Sequence, residues 1–327
     1  MTRMAIDEPR PFTLHEPAEV DAALALAAEH FRDHAYLAGG CDLLDQLKRQ
    51  WRNRGHVINL KGIDALSGIR RADDRLRIGA LTKLSALERD SDLAAMHPAL
   101  ALGAARIATP QIRNMGTIGG NLLQDSRCPY YRGPWYCYRH GGIVCDAHHG
   151  INAEHAIFGG DRCYTVTPSD LGPVVVALDA MIEVVGHDGA RTLAARDLFM
   201  PPGENITVMH RLQNGEILTA IEIPVRKGQR SAFVKNAPRN AWDFSRASVA
   251  ITLEPLEGRA RIVLGGVAAI PWRCHAAERV IEGASLDQKT IDAAAIAATD
   301  GAEPLSHNAY KVGLVRKLVR EALTQLA

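Results

Sequence analysis

The sequence has no apolar run long enough to span a bilayer, and Met1 to Pro11 lacks the apolar core of a signal peptide. Synthesis in the cytoplasm is therefore expected. A basic block is missing as well. Lys and Arg total 38 against 37 Asp and Glu, a formal net charge of +1, and this excludes the electrostatic footprint of a nucleic-acid or anionic-membrane binder. No G-x-G-x-x-G fingerprint is present, so no nicotinamide site is expected. Cysteine is scarce, with six residues, and four of them fall in one stretch. In a large chain without a signal, that clustering favours thiolate ligation over a disulfide scaffold.

What is there is ordinary for a globular protein, 47% hydrophobic and 23% charged, and 327 residues call for two or three packed units. Val20, Leu24, Ala27 and Phe31 recur at helical spacing and predict a helix over 18–32. The strand Ala35 to Ala38 leads through Gly39-Gly40-Cys41-Asp42 into a second helix with Leu43, Leu44, Leu47 and Trp51 on its buried face. Strands are expected at His56–Leu60 and Leu76–Ala80. A helix from Pro98 must end near Pro110, which leaves Gly116 to Asn121 as a surface loop. Beyond the apolar run Val174 to Leu178, strands are read at Ile217–Pro224, Ala232–Lys235, Val249–Leu253 and Ala260–Leu264, with a polar boundary at Val225–Gly228. Helices follow at His275–Glu282, Gln288–Ala297 and Tyr310–Leu326. Strands and then helices predict a smaller α+β unit at 228–327, after a first domain at 1–227.

Two glycine-bearing turns carry the chemistry. One is Ala38-Gly39-Gly40-Cys41-Asp42-Leu43, a strand, glycine turn and helix start. The other lies in Thr109-Pro110-Gln111-Ile112-Arg113-Asn114-Met115-Gly116-Thr117-Ile118-Gly119-Gly120-Asn121. There Gly116, Gly119 and Gly120 remove side chains that would bar close approach, and they are expected to leave N–H groups free to cradle a phosphate. Thr117 and Asn121 add polar groups. A bulky residue at Gly119 would then expel the ligand.

The cysteines read Cys128-x8-Cys137-x7-Cys145-x17-Cys163, inside an inserted segment at 125–165. Four thiolates satisfy a tetrahedral zinc or a [4Fe–4S] cube, and these gaps match neither a zinc ribbon nor a bacterial ferredoxin run. His140, His148, His149 and His155 intervene and keep mixed Cys/His zinc ligation open.

Taken whole, the two turns resemble the first and second FAD-binding motifs of the flavin subunit in the xanthine dehydrogenase family of molybdenum hydroxylases. The resemblance continues along nearly the whole chain, including Gly265-Gly266-Val267-Ala268-Ala269-Ile270-Pro271-Trp272-Arg273. It implies a two-subdomain FAD-binding domain of the vanillyl-alcohol-oxidase-like type plus a C-terminal α+β domain. Ala38 to Leu43 would hold the pyrophosphate, though Cys41 replaces the usual Thr or Ser and is a poorer donor. Gly116, Thr117, Gly119, Gly120, Asn121 and Asp125 join the candidate FAD set. Asp170, after Ser169, would lie by the ribityl chain, and Lys235, followed by Arg239, Asp243 and Ala247, near the isoalloxazine.

Most members lack the cysteine insertion. Flavin subunits of bacterial aldehyde oxidoreductases and of 4-hydroxybenzoyl-CoA reductase carry a [4Fe–4S] cluster there, and His155-Ala156-Ile157-Phe158-Gly159 looks more like the aldehyde group. The resemblance thus implies an electron-transfer subunit with a large molybdopterin subunit and a small [2Fe–2S] subunit as partners. Electrons would pass from molybdenum to FAD and on to an external acceptor. Aldehydes are the first expectation for the substrate, an aromatic acyl-CoA thioester the second and N-heterocycles the third. A stand-alone FAD oxidase and a zinc-stabilised binding module are the readings from other classes. The cytoplasm is the expected site of action, with periplasmic co-export on a signal-bearing partner as the alternative.

Overall fold

The computed structural model describes residues 8–239 and 241–327. Its first unit is a three-stranded parallel sheet of β1 (Thr13–His15), β2 (His34–Leu37) and β3 (His56–Asn59), in the order β1-β3-β2. The helix Val20–Glu29 covers one face of this sheet through Ala23 and Ala27, which pack with Ile58 and Ile63. The helix Leu43–Lys48 covers the other, where Leu47 meets Leu37 and Val57. The predicted first helix is too long by a turn. Arg32 takes φ +68°, a left-handed conformation that no helix continues, and Phe31 beyond the helix end is 58% exposed rather than buried. The second helix likewise stops before Trp51.

A five-stranded antiparallel sheet follows, ordered β4-β5-β8-β6-β7, from β4 (Ile69–Arg71), β5 (Arg75–Gly79), β6 (Met181–Gly186), β7 (Gly189–Ala194) and β8 (Ile217–Pro224). The hairpin β6-β7 is absent from the sequence reading. Its signal is the alternating Met-Ile-Glu-Val-Val closed by His187-Asp188-Gly189, with Gly189 at φ +105°. The helices Pro98–Ala105 and Leu171–Ala177 pack beside this sheet.

The last unit is an antiparallel sheet, β12 (Trp272–Arg273), β11 (Arg259–Gly265), β10 (Ala247–Glu254) and β9 (Arg230–Asn236). Both of its faces are covered. Phe233, Ala250 and Val263 join the core around the helices Pro98–Ala105 and Leu171–Ala177, whereas Val249, Ile251 and Leu253 pack on the helices His275–Ile281, Gln288–Ala297 and Tyr310–Leu326. Sandwiching explains why every residue of β10 is buried, Ser248, Thr252 and Glu254 included, rather than every second one. The architecture is the expected mix of a two-part first domain and a C-terminal α+β domain.

The segment Val225–Gly228 is not simply a solvated link. Arg226 bonds Glu254 at 2.6 Å and Asp179 at 3.0 Å, and Arg261 bonds the same two carboxylates at 2.6 and 2.9 Å. This network fastens the end of β8 to the C-terminal sheet.

Candidate functional site

The two glycine turns lie against each other. A Cβ on Gly39 would collide with the Met115 carbonyl oxygen and sit 2.9 Å from the Gly116 Cα. Glycine at 39 is therefore a condition for the second turn to close on the first.

Their amides are used differently, which corrects the sequence reading. From Gly116 to Asn121 the chain is no surface loop. Residues Ile118–Leu122 are a short helix, capped by the Thr117 hydroxyl accepting from the Gly120 N–H at 3.1 Å. Gly116, Ile118, Gly119 and Asn121 also donate, to Ile112, Thr82, Ala80 and Thr117 carbonyls. Gly119 is buried, and a Cβ added to it would sit 2.9 Å from Ala80, so its missing side chain serves packing on β5's continuation rather than ligand approach.

The first turn is the reverse case. Among the described residues, the amides of Gly39, Gly40, Cys41, Asp42 and Leu43 donate to no protein acceptor. Gly40 takes φ +77°, and a left-handed residue in such a run folds successive N–H groups into an anion-binding concavity. Lys61, missed in the sequence, reaches the Ala38 carbonyl at 3.4 Å and Asn59 at 2.7 Å, with burial pulling its pKa down. Arg127, also missed, lies 3.1 Å from Asp42 and over the Phe244 ring, and its Nε is buried without a partner. Nothing in sequence separation signals that either cation meets this turn.

Cys41 is exposed, and its thiol makes only a long contact to the Gly39 carbonyl at 3.7 Å. Asp42 and Asp125 do not face a ligand space. Asp42 accepts from Arg132 at 2.7 Å, Gln46 at 2.9 Å and the Asp125 amide at 2.8 Å, which ties the cysteine segment to the first turn. Asp125 is buried, bonded to Arg139 at 3.1 Å and to the Tyr131 hydroxyl at 2.9 Å. Burial alone would raise its pKa, but the Arg139 and Arg52 charges and the Ser126 amide hold it below the usual value. Its contribution to stability is thus complete above the unfolded carboxyl value near pH 4 and is lost as pH falls through the depressed folded value. Asp125→Asn is expected to lower the unfolding temperature at pH 7 and to flatten its decline in acid. An unchanged acid limb in thermal melts would count against this assignment.

Asp170 and Lys235 meet at 2.6 Å, both nearly inaccessible, and Lys235 also donates to the Arg106 and Asp243 carbonyls at 3.0 Å each. Burial raises the Asp170 pKa, and the Lys235 ammonium offsets part of that rise. The second oxygen of Asp170 is buried with no partner. Ser169, not Asp170, caps the following helix by accepting from Gly172 at 2.9 Å, and it donates to Asn121 at 2.7 Å. Lys235→Met should cost about 3–5 kcal/mol, because it strands a buried carboxylate. Denaturant unfolding measures this, and a loss under about 1 kcal/mol would show the pair to be dispensable.

The four cysteines converge on one cavity, lined also by Tyr130, Tyr131, Tyr138, Arg139 and His155. Cys137 and Cys163 are buried, Cys128 and Cys145 half-buried. Burial pushes the thiols of Cys128 and Cys163 up to about 12 and about 11. Among the described residues no three of these sulfurs come within 4.8 Å of one another. Of the four intervening histidines, His155 lies 3.3 Å from the Cys128 sulfur, whereas His140 bonds the Tyr131 carbonyl and His148 and His149 bond each other.

Comparison with known proteins shows the family. Residues 10–226 match the family model described as the FAD binding domain in molybdopterin dehydrogenase, and 232–326 match the CO dehydrogenase flavoprotein C-terminal domain. The aldehyde oxidoreductase FAD-binding subunit PaoB of Escherichia coli strain K12 is 33% identical, with 95% of this chain and 97% of that protein covered. The carbon monoxide dehydrogenase medium chain of Afipia carboxidovorans is 30% identical over 96% of this chain and 97% of its own. A solved structure of reconstituted CO dehydrogenase from Oligotropha carboxidovorans superposes with a TM-score of 0.76 at 29% identity, covering 97% of each chain. The chain therefore belongs to the FAD-binding medium-subunit family of the molybdenum hydroxylases.

Proposed function

We propose that this flavoprotein subunit holds FAD across the two glycine turns and a [4Fe–4S] cluster in the cysteine cavity, and that it transfers electrons within a molybdenum-containing aldehyde oxidoreductase. The convergence of all four inserted cysteines on a single cavity carries the reading. A zinc ion with bonds of about 2.3 Å requires sulfurs roughly 3.8 Å apart. Among the described residues no three of the four sulfurs lie mutually within 4.8 Å, which suits a larger polynuclear group better than a single ion. The 33% identity to an aldehyde oxidoreductase subunit supports the aldehyde class.

The residues present fit FAD. The unpaired amides of Gly39 to Leu43 would bind the pyrophosphate, with Lys61 supplying positive charge nearby. Among the described residues the Asn121 side-chain nitrogen donates to no protein group and, with the unpartnered Asp170 oxygen, would offer polar contacts farther along the cofactor. Bound there, FAD supplies storage of two electrons and their release singly or in pairs. Lys235 balances the Asp170 charge, and the protein's task is position and potential; no side chain is required as a general acid or base. In the cavity, the Cys128 and Cys163 thiols must lose their protons on ligation, which the iron charge drives. Large molybdopterin and small [2Fe–2S] partner subunits and an external acceptor complete the proposal, together with cytoplasmic action.

The test is anaerobic purification with co-purifying partners, followed by an optical spectrum and iron, zinc and flavin analysis. About one FAD and about four iron per chain, beyond the small subunit's share, are expected. Flavin without that iron would remove the cluster from the proposal, and absence of flavin would overturn it.

A further inference from the structure

At the end of the parallel sheet away from the glycine turn, three histidines from three elements meet. His15 closes β1, His30 follows the helix Val20–Glu29, and His56 opens β3. One ring nitrogen of each lies within 4.8 Å of the other two. His15 Nε2 and His56 Nδ1 are 3.0 Å apart, and the His30 and His56 rings stack with centroids 3.4 Å apart and planes within 5°. The parallel register pairs Thr13 with His56 and His15 with Ile58, which places His15 and His56 on one face of the sheet. His30 is pinned by its backbone, donating to Leu26 and accepting from the Asp33 amide and the His34 ring. All three rings are half-buried and open to solvent on one side.

Apolar packing does not call for three imidazoles in contact. What the three elements do bring together is one ring nitrogen from each imidazole in a single small space. That is the donor set of a borderline transition-metal ion, for which neutral histidine is the commonest ligand. The size fits. A tetrahedral ion with bonds of 2.0–2.1 Å to nitrogen has edges of about 3.3 Å; the His15 to His56 spacing of 3.0 Å needs to open by a few tenths of an ångström, and the His30 ring must turn out of its stack on His56. We propose that His15, His30 and His56 bind one divalent ion of the zinc class. Glu29, largely exposed, has its carboxylate 3.8 Å from His30 Nε2.

Such an ion clips the three-residue edge strand β1 to β3 and to the end of the first helix. It acts as a structural staple on the subdomain that carries the Gly39–Leu43 turn. The site is all nitrogen and oxygen, which separates it from the cysteine cavity whatever that cavity holds.

The experiment uses the protein purified with its partners, stripped with a chelator and dialysed against micromolar zinc. One zinc per chain is expected, with a zinc-edge absorption spectrum showing nitrogen or oxygen neighbours at about 2.0–2.1 Å and no sulfur near 2.3 Å. His15→Gln with His56→Gln should lose that zinc while FAD and iron stay unchanged, and wild type alone should gain thermal stability on zinc addition. A sulfur shell, an undiminished zinc content in the double variant, or no zinc retained at micromolar concentration would overturn the proposal. The absorption spectrum needs no variant, so a folding defect in the double variant leaves the test intact.

Discussion

Replacing Cys137 with serine is expected, if the proposed cluster sits in the cysteine cavity, to strip its iron from the chain and leave the FAD in place. Cys137 is buried and faces the same cavity as Cys128, Cys145 and Cys163. Its backbone is fixed independently of the sulfur, since its carbonyl accepts from His140 and Gly142 and the next amide donates to Val144. The substitution therefore exchanges a soft thiolate for a hydroxyl at unchanged backbone geometry. A four-cysteine cube missing one thiolate is poorly held, so iron should fall by most of about four atoms per chain. None of the contacts of Cys137 reaches the Gly39–Leu43 turn, so the flavin-to-protein ratio should hold. A full complement of iron in the variant would remove the cysteine cavity as the cluster site.

Gly39→Val is expected to produce the opposite pattern, loss of flavin with iron retained. The added Cβ alone overlaps the Met115 carbonyl oxygen, and the branched remainder worsens the clash with Gly116. Because the obstacle is backbone and not the end of a flexible side chain, the two turns must separate. Their separation displaces the amides that would bind the pyrophosphate. At least a tenfold weaker hold on FAD is expected, equivalent to about 1.4 kcal/mol, read as the flavin-to-protein absorbance ratio after dialysis. Gly313→Ala is the control, since nothing lies within 4 Å of its added Cβ in the helix Tyr310–Leu326. It should keep its FAD. Equal flavin content in Gly39→Val and the control would show that the turns do not hold the cofactor.

Much of the scaffold was legible because its periodicities are strong and local. Ile217–Pro224, Gln288–Ala297 and Tyr310–Leu326 fall where alternation or helical spacing puts them. The two glycine motifs were legible as motifs, but the job of each glycine was not. Gly119 looks like a point of ligand approach and is instead packed on Ala80, with its amide donated to that residue's carbonyl. Asp42 and Asp125 read only as members of the FAD motif set, and their carboxylates are engaged by Arg132 and Arg139. In both cases the deciding partner lies on a segment whose position no local pattern reveals.

By itself the sequence determined the class of chemistry: glycine turns that resemble the FAD motifs of a known family, four clustered thiols, and no fingerprint for nicotinamide, nucleic acid or membrane. Residue type sets what an atom is able to donate, accept or ligate, and that is local information. Only the tertiary structure decided which groups remain unspent. Folding uses up the amides of Gly116, Gly119 and Gly120 and leaves those of Gly39 to Leu43 unpaired. It also buries Asp170 against Lys235 and brings His15, His30 and His56 together from three elements. The physical reason is that a buried polar group must find a partner, and its partner is chosen by the packing of distant segments.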